Sequence, residues 1–151
     1  MNIVRAGLPE LDQVVRLFEA YRVHFRQKAD RAAAIAFIQQ HMENGTSVIF
    51  LALSEEGTGV GFTQLYPFFS SLRMKKLWLL NDLFVSPDYR GKGVSIRLID
   101  QAKELAQKTG AAGLMLETEK VNDIGNQLYP RTGFHLYESS NFYVWDCAVV
   151  S

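Results

Sequence analysis

A single cysteine, Cys147, leaves no partner for an intrachain disulfide, and a reducing, cytoplasmic setting fits that best. Histidine is scarce too. His24, His41 and His135 stand at no metal-ligand spacing with one another or with Cys147, so no metal site is expected. No run approaches the ~18 apolar residues of a membrane span, and the opening residues, MNIVRAGLPELDQ, lack the apolar region of a signal peptide. Neither secretion nor a membrane span is expected. Charge of one sign is not in excess either, since 16 Lys and Arg balance 16 Asp and Glu. That argues against a general nucleic-acid binder, which usually carries a clear basic excess. Repeats, low-complexity tracts and linkers are absent. What is there is a chain of 151 residues, 48% apolar, enough to close one core without staples. The expectation is a single domain over 1–151.

Patterning along the chain predicts a mixed order of elements. Ile3 to Ala6 reads as a first strand. Pro9 stands where a helix can start, and Leu11, Val14, Val15, Phe18 and Tyr21 recur at helical spacing. Asp30 is placed to cap a second helix bearing Ile35, Ile38 and Met42, ended by Asn44-Gly45. SVIFLAL and VGFTQLY, joined by SEEGTG, read as a hairpin. Residues Pro67 to Lys76 read as irregular. LWLLNDLFV is a further strand, too apolar for an edge and closed by Pro87. From Val94 to Lys108, Leu98, Ile99, Ala102, Leu105 and Ala106 line one helical stripe, ended at Thr109-Gly110. AGLMLET comes next as a strand and Asp123 to Arg131 as a short helix. FHLYES and FYVWDCAVV read as closing strands around a turn at Ser139 to Asn141. The expected fold is α/β with a mixed (α+β) sheet: a mostly antiparallel twisted sheet, one parallel β-α-β crossover, and helices on both faces.

Between LWLLNDLFV and the stripe helix lies YRGKGVSIR. Two glycines and two cations at a helix start fit a tight turn with solvated charges. They fit an anion site equally well. The first N–H groups of a helix lack internal partners and carry the positive end of its dipole. Glycine removes the Cβ atoms that would hold a ligand off, and it permits φ > 0. A P-loop is excluded, because Gly-x-x-x-x-Gly-Lys-Ser/Thr is missing. The dinucleotide fingerprint fails because Ile96 stands where its third glycine belongs.

Set between strand and helix, this turn resembles the pyrophosphate motif Arg/Gln-x-x-Gly-x-Gly/Ala of the GNAT superfamily of acetyl-CoA-dependent N-acetyltransferases. It reads here Arg90-Gly91-Lys92-Gly93-Val94-Ser95, with Ser95 in place of Gly/Ala. Downstream, NDIGNQLYPRTGF is similar to that family's Asn-x-x-Ala-x-x-Leu-Tyr-x-x-x-Gly-Phe, through Asn122, Leu128, Tyr129, Gly133 and Phe134. Gly125 replaces the alanine, and Pro130 predicts a short or kinked helix. The resemblance runs from about Val4 to Val144.

The resemblance implies acetyl-CoA as cofactor and an amine as acceptor, from a small molecule, a polyamine or a protein lysine. It implies that Leu83, Phe84 and Val85 offer backbone to the pantetheine arm. Arg90, Gly91, Lys92, Gly93, Val94, Ser95 and Ile96 would cradle the pyrophosphate, Asn122 would bond the cofactor arm, and Tyr129 would act as general acid beside the sulfur. Two carboxylates are candidates for the base. Glu117 lies on the predicted strand LMLETEK, where some family members carry a glutamate base. Asp82 is a carboxylate inside an apolar strand, which should be partnered or functional; strand alternation predicts Asn81 on the opposite face. A water chain is the third possibility. The aromatic segment from Tyr66 to Lys76 is expected near the acceptor, and the apolar C-terminal run predicts a homodimer. A CoA-binding module without catalysis, or transfer of another acyl group such as succinyl, are the alternatives.

Overall fold

Five strands lie in sequence order across one sheet: β1 (Asn2–Arg5), β2 (Val48–Leu53), β3 (Gly59–Ser70), β4 (Lys75–Val85) and β5 (Leu114–Met115). The first four pair antiparallel, and β4 pairs parallel with β5. The structure, a computed structural model, describes residues 1–147. It comprises two compact units, Met1–Glu117 and a second that begins at Thr118. Among the described residues no helix is long and apolar enough to cross a membrane.

In the first unit, α1 (Leu11–His24) and α2 (Arg31–Asn44) cover one face of the sheet. Val14, Val15, Leu17 and Phe18 of α1 and Ala34 and Ile38 of α2 pack with Ile49, Leu51, Phe62 and Phe84 of the strands. Each large side chain buried this way contributes about 2 kcal/mol. The ends of α2 are those the sequence indicates. The Ala33 amide donates to Asp30 Oδ1 at 3.1 Å, and Gly45 closes the helix with φ +63°. Pro9 falls in a 3-10 turn, Leu8–Glu10, one step ahead of α1. α1 also ties down the β2–β3 turn: Gln13 brackets it through Gly57 and Gly59, and the Arg16 guanidinium donates to the Gly59 carbonyl at 2.7 Å.

The crossover helix α3 (Val94–Lys108) buries Val94, Leu98, Ile99, Ala102, Leu105 and Ala106, the stripe seen in the sequence with Val94 added. Gly61 is what lets it sit close. A Cβ there would lie 3.2 Å from Val94 and 3.4 Å from Leu98, while the neighbouring Phe62 belongs to the α1 and α2 side. Helices therefore cover both faces, as the alternation of a strand requires.

Three expectations need correction. Residues 67–76 are not irregular: β3 runs on to Ser70, β4 starts at Lys75, and Pro67 pairs with Trp78. β2 pairing stops at Val48 with Leu65, so Pro67 lies where β3 has become an edge, a position that tolerates proline. The strand predicted as AGLMLET shrinks to Leu114–Met115. Over the described residues the closing strands do not form. Among the described residues 134–147 carry neither strand nor helix, because alternation makes a ladder only where a sheet supplies a partner, and a lone hairpin is marginal in water. Phe142, Tyr143, Val144 and Trp145 are 72–90% exposed. Ala148 to Val150, the end of the predicted last strand, lie outside the described residues.

Candidate active site

β4 is irregular in two ways that matter. Its register with β3 shifts between Gln64 opposite Asp82 and Leu65 opposite Leu80, so Asn81 is a bulge residue with no opposite number. A bulge bends a strand and re-aims its side chains. Alternation placed Asn81 on the face opposite Asp82; instead its Nδ2 donates to Asp82 Oδ1 at 3.0 Å. On the other side, β5 pairs only with Trp78 and Leu79. From Leu80 to Val85, β4 thus presents an edge with no ladder partner among the described residues. Such an edge can bind an extended chain through backbone N–H and C=O groups.

That edge leads into the glycine turn. The Ser86 amide donates to the Val60 carbonyl at 2.8 Å and anchors its start. Arg90 Nε donates to the Val85 carbonyl at 2.9 Å, and its guanidinium lies 5.5 Å from the centre of the Phe84 ring. Arg90 thereby fastens the turn to the end of β4. Gly91 and Gly93 have φ +75° and +79°, conformations that favour glycine, and a Cβ on either would meet nothing within 4 Å. The glycines are there for conformation, and the space in front of them is open. Gly93 precedes α3, whose first internal bond runs from the Arg97 amide to the Gly93 carbonyl. The N–H groups of Val94, Ser95 and Ile96 therefore have no acceptor within the helix. Val94 is 1% exposed, so only its backbone can serve a ligand. Lys92 Nζ stands 5.2 Å over the Tyr89 ring.

One residue before Leu83 to Val85, Asp82 is 4% exposed. Gln64 Nε2 donates to its Oδ2 at 2.6 Å, and Ser47 Oγ donates to Gln64 Oε1 at 2.8 Å, so a polar chain runs from the residue before β2 through β3 to β4. The Tyr21 hydroxyl donates to the Asn81 carbonyl at 3.5 Å, beside the carboxylate. Burial pushes the Asp82 carboxyl above the usual carboxylate range; the bonds from Gln64 and Asn81, the Tyr21 hydroxyl and the charge of His41 offset part of that rise. Burial, helped by the charge of Asp82, likewise pushes the Tyr66 phenol up. Gln64, Tyr21 and His41 were not anticipated at the site. The one sequence signal was Gln64 itself, a polar residue amid the apolar VGFTQLY. Glu117 lies two residues beyond β5, off the strand predicted to carry it, and is exposed.

In the second unit, Asn122 caps α4 (Asp123–Arg131). Its Oδ1 accepts from the Gly125 amide at 3.1 Å, and its Nδ2 donates to Thr118 Oγ1 at 2.9 Å. Gly125 makes this possible, since a Cβ there would come within 2.6 Å of Asn122 Nδ2. The departure from alanine thus goes with an inward-turned cap. Pro130 sits in the last turn of a nine-residue helix, which ends one residue later at Arg131; its ring removes the bond an N–H there would give Asn126. Tyr129 packs edge-on against Phe134 at 5.8 Å, and burial raises its phenol pKa. The hydroxyl therefore keeps its proton at neutral pH.

Comparison with known proteins agrees with this geometry. The model of the acetyltransferase (GNAT) family matches residues 11–134. The N-acetyltransferase YhfO of Bacillus subtilis (strain 168), itself uncharacterized, is 43% identical over 97% of this chain and 96% of its own length. A crystal structure described as a probable acetyltransferase superposes with a TM-score of 0.94 at 33% identity, covering 98% of this chain and 99% of that one. The aminoglycoside N-acetyltransferase AAC(6')-Iy in complex with CoA shares the fold, with a TM-score of 0.81 at 20% identity over 97% of this chain and 95% of that one. An unpaired strand edge that runs into an open glycine turn at a helix start, in a chain matched over most of its length, places this protein in the GNAT acetyltransferase family, as an acyltransferase.

Proposed function

We propose that this chain, acting as one domain over 1–151, moves the acetyl group of acetyl-CoA to an amine. The observation that carries this reading is the unpaired edge of β4 from Leu80 to Val85, continuous with the glycine turn. The residues present fit the cofactor: open space in front of Gly91 and Gly93 admits a pyrophosphate, the amides of Val94 to Ile96 face it, and Arg90 and Lys92 add charge. The edge at Leu83 to Val85 matches an extended pantetheine arm, and Asn122 would contact the same arm. When bound, acetyl-CoA supplies a thioester as the electrophile. A backbone N–H of Leu83 to Val85 would polarise its carbonyl. Asp82, raised by burial, would take the proton that the attacking amine must lose, and Tyr129 would supply a proton to the thiolate. Asp82 is preferred to Glu117 because it is buried and lies on the strand that carries the edge.

The test is thiol release from acetyl-CoA across a panel of amines. Turnover with at least one amine is expected. CoA binding with no turnover would instead favour a module that has lost catalysis, and a faster reaction with succinyl-CoA would reassign the acyl group. Tyr129→Phe is expected to lower kcat by roughly 10²-fold or more while CoA affinity stays within twofold; an unchanged kcat removes the acid role. The exposed aromatics at 142–145 support a homodimer, and a single monomeric species in sedimentation velocity would refute it.

A further inference from the structure

The first unit carries an aromatic band around Asp82: Phe84 belongs to the core and Tyr21 packs against it, whereas Phe25, His41 and Tyr66 lie outside that cluster. The Tyr21 hydroxyl donates to the Asn81 carbonyl at 3.5 Å, next to Asp82, and its ring meets Phe25 at 5.1 Å and Phe84 at 6.3 Å. From the other side come His41 and Tyr66, their rings 5.1 Å apart, both close enough for Asp82 to interact with them electrostatically. These residues belong to α1, α2, β3 and β4 and to the residue just after α1. Their convergence is therefore tertiary and not the stripe of one helix. Tyr21, Phe25, His41 and Tyr66 are only partly buried, so the band is open to solvent while Asp82 at its base is covered.

Charge in the band is sparse. No Asp or Glu occurs between Gly57 and Asn81, so β3 and the first half of β4 carry none. Of the acids on the helices here, Glu19 is engaged by the Asp30 amide and Glu43 by Gln39. Asp82 takes donors from Gln64 and Asn81. A carboxylate has about four acceptor sites, which leaves room for a further N–H. Aromatic faces attract a cation and bury the apolar body attached to it. A chain of several ammonium groups would find one buried carboxylate among the described residues. The position also suits the reaction, because Asp82 precedes by one residue, about 3.3 Å along a strand, the span of β4 assigned to the arm.

We infer, on the basis of the acetyl-transfer reading above, that the acceptor is a compact amine with one positive charge on a flat apolar body, its nitrogen at Asp82 and its body among Tyr21, Phe25, His41 and Tyr66. The test is calorimetric titration of the protein saturated with CoA, which needs no turnover. 2-Phenylethylamine is expected to bind at least tenfold more tightly than either methylamine or spermidine. Phe25→Ala and Tyr66→Leu are each expected to weaken 2-phenylethylamine at least fivefold and to leave CoA affinity within twofold. Spermidine or methylamine binding as tightly as 2-phenylethylamine would overturn the inference, and so would variants that leave its affinity unchanged. Failure of acetyl transfer is seen separately: it would appear as no thiol release with any amine, whatever the order of amine affinities.

Discussion

Gly93→Asp is expected to weaken CoA binding by at least a hundredfold without unfolding the protein. Both halves of that statement rest on where Gly93 sits. Its φ of +79° strains most side chains, but Asp and Asn tolerate the left-handed region best, at about 1 kcal/mol. A carboxylate at the N-terminus of a helix returns about 0.3–1 kcal/mol through the dipole. Folding is therefore nearly unaffected. The ligand suffers both effects at once, because the open space before the glycine is filled and it is filled with negative charge. A loss of about 2.7 kcal/mol is the hundredfold. Gly93→Asn separates the two causes, since it has the same shape and backbone cost without the charge, and it should fall between Gly93→Asp and the native protein. Calorimetric titration with CoA measures all three. Undiminished binding by Gly93→Asp would mean that the pyrophosphate lies elsewhere.

Asp82→Asn is expected to lower kcat by roughly 10²-fold or more and, at pH 8, to raise the unfolding temperature. The second effect is a matter of sign. Burial holds the Asp82 carboxyl above its unfolded value, so the native state keeps a proton that the unfolded chain has released. Stability from this group is complete below the unfolded value, near 4, and is lost as pH rises through the native one. Asparagine has no such loss. Its amide can be accommodated if Gln64 turns over, because the Ser47 hydroxyl bonded to Gln64 can accept as well as donate. The gap in unfolding temperature between variant and native protein should thus be widest at pH 8 and close towards pH 4. A variant less stable at pH 8 would mean that the ionised carboxylate holds the strands together. An unchanged kcat would return the base role to Glu117 or to water, and Glu117→Gln then decides between them.

Much of this fold was legible because its signals are local. The stripe of α3, Asp30 before α2 and Gly45 after it each depend on a few neighbouring residues. The hairpin from Gly59 to Val85 was read short because Pro67 and the serines at 70 and 71 look like breakers. Whether a proline breaks a strand depends on where the next strand ends. The glycine turn was legible in position, and its meaning came from the second motif downstream. The partnership of Gln64 with Asp82 was not legible, since it depends on register between two strands and neither pattern encodes it. The Asn81 bulge is of the same kind: alternation assumes a regular ladder, and one extra residue reverses the face of each later residue in the strand. The closing strands show the converse, a readable pattern without a ladder to join.

The brevity of β5 has a consequence for handling the protein. Pairing that ends at Leu79 leaves the six positions Leu80 to Val85 without a ladder partner among the described residues, their backbone groups open to any extended segment, including another copy of the same strand. Asn81 opposes that association, because its bulge spoils a flat edge. A bound pantetheine arm would oppose it further by occupying the edge itself. The cofactor is in this sense also a guard against self-association. Protein kept with CoA should stay dispersed at concentrations where the empty form precipitates, and the amides of Leu83 to Val85 should exchange with deuterium more slowly in its presence.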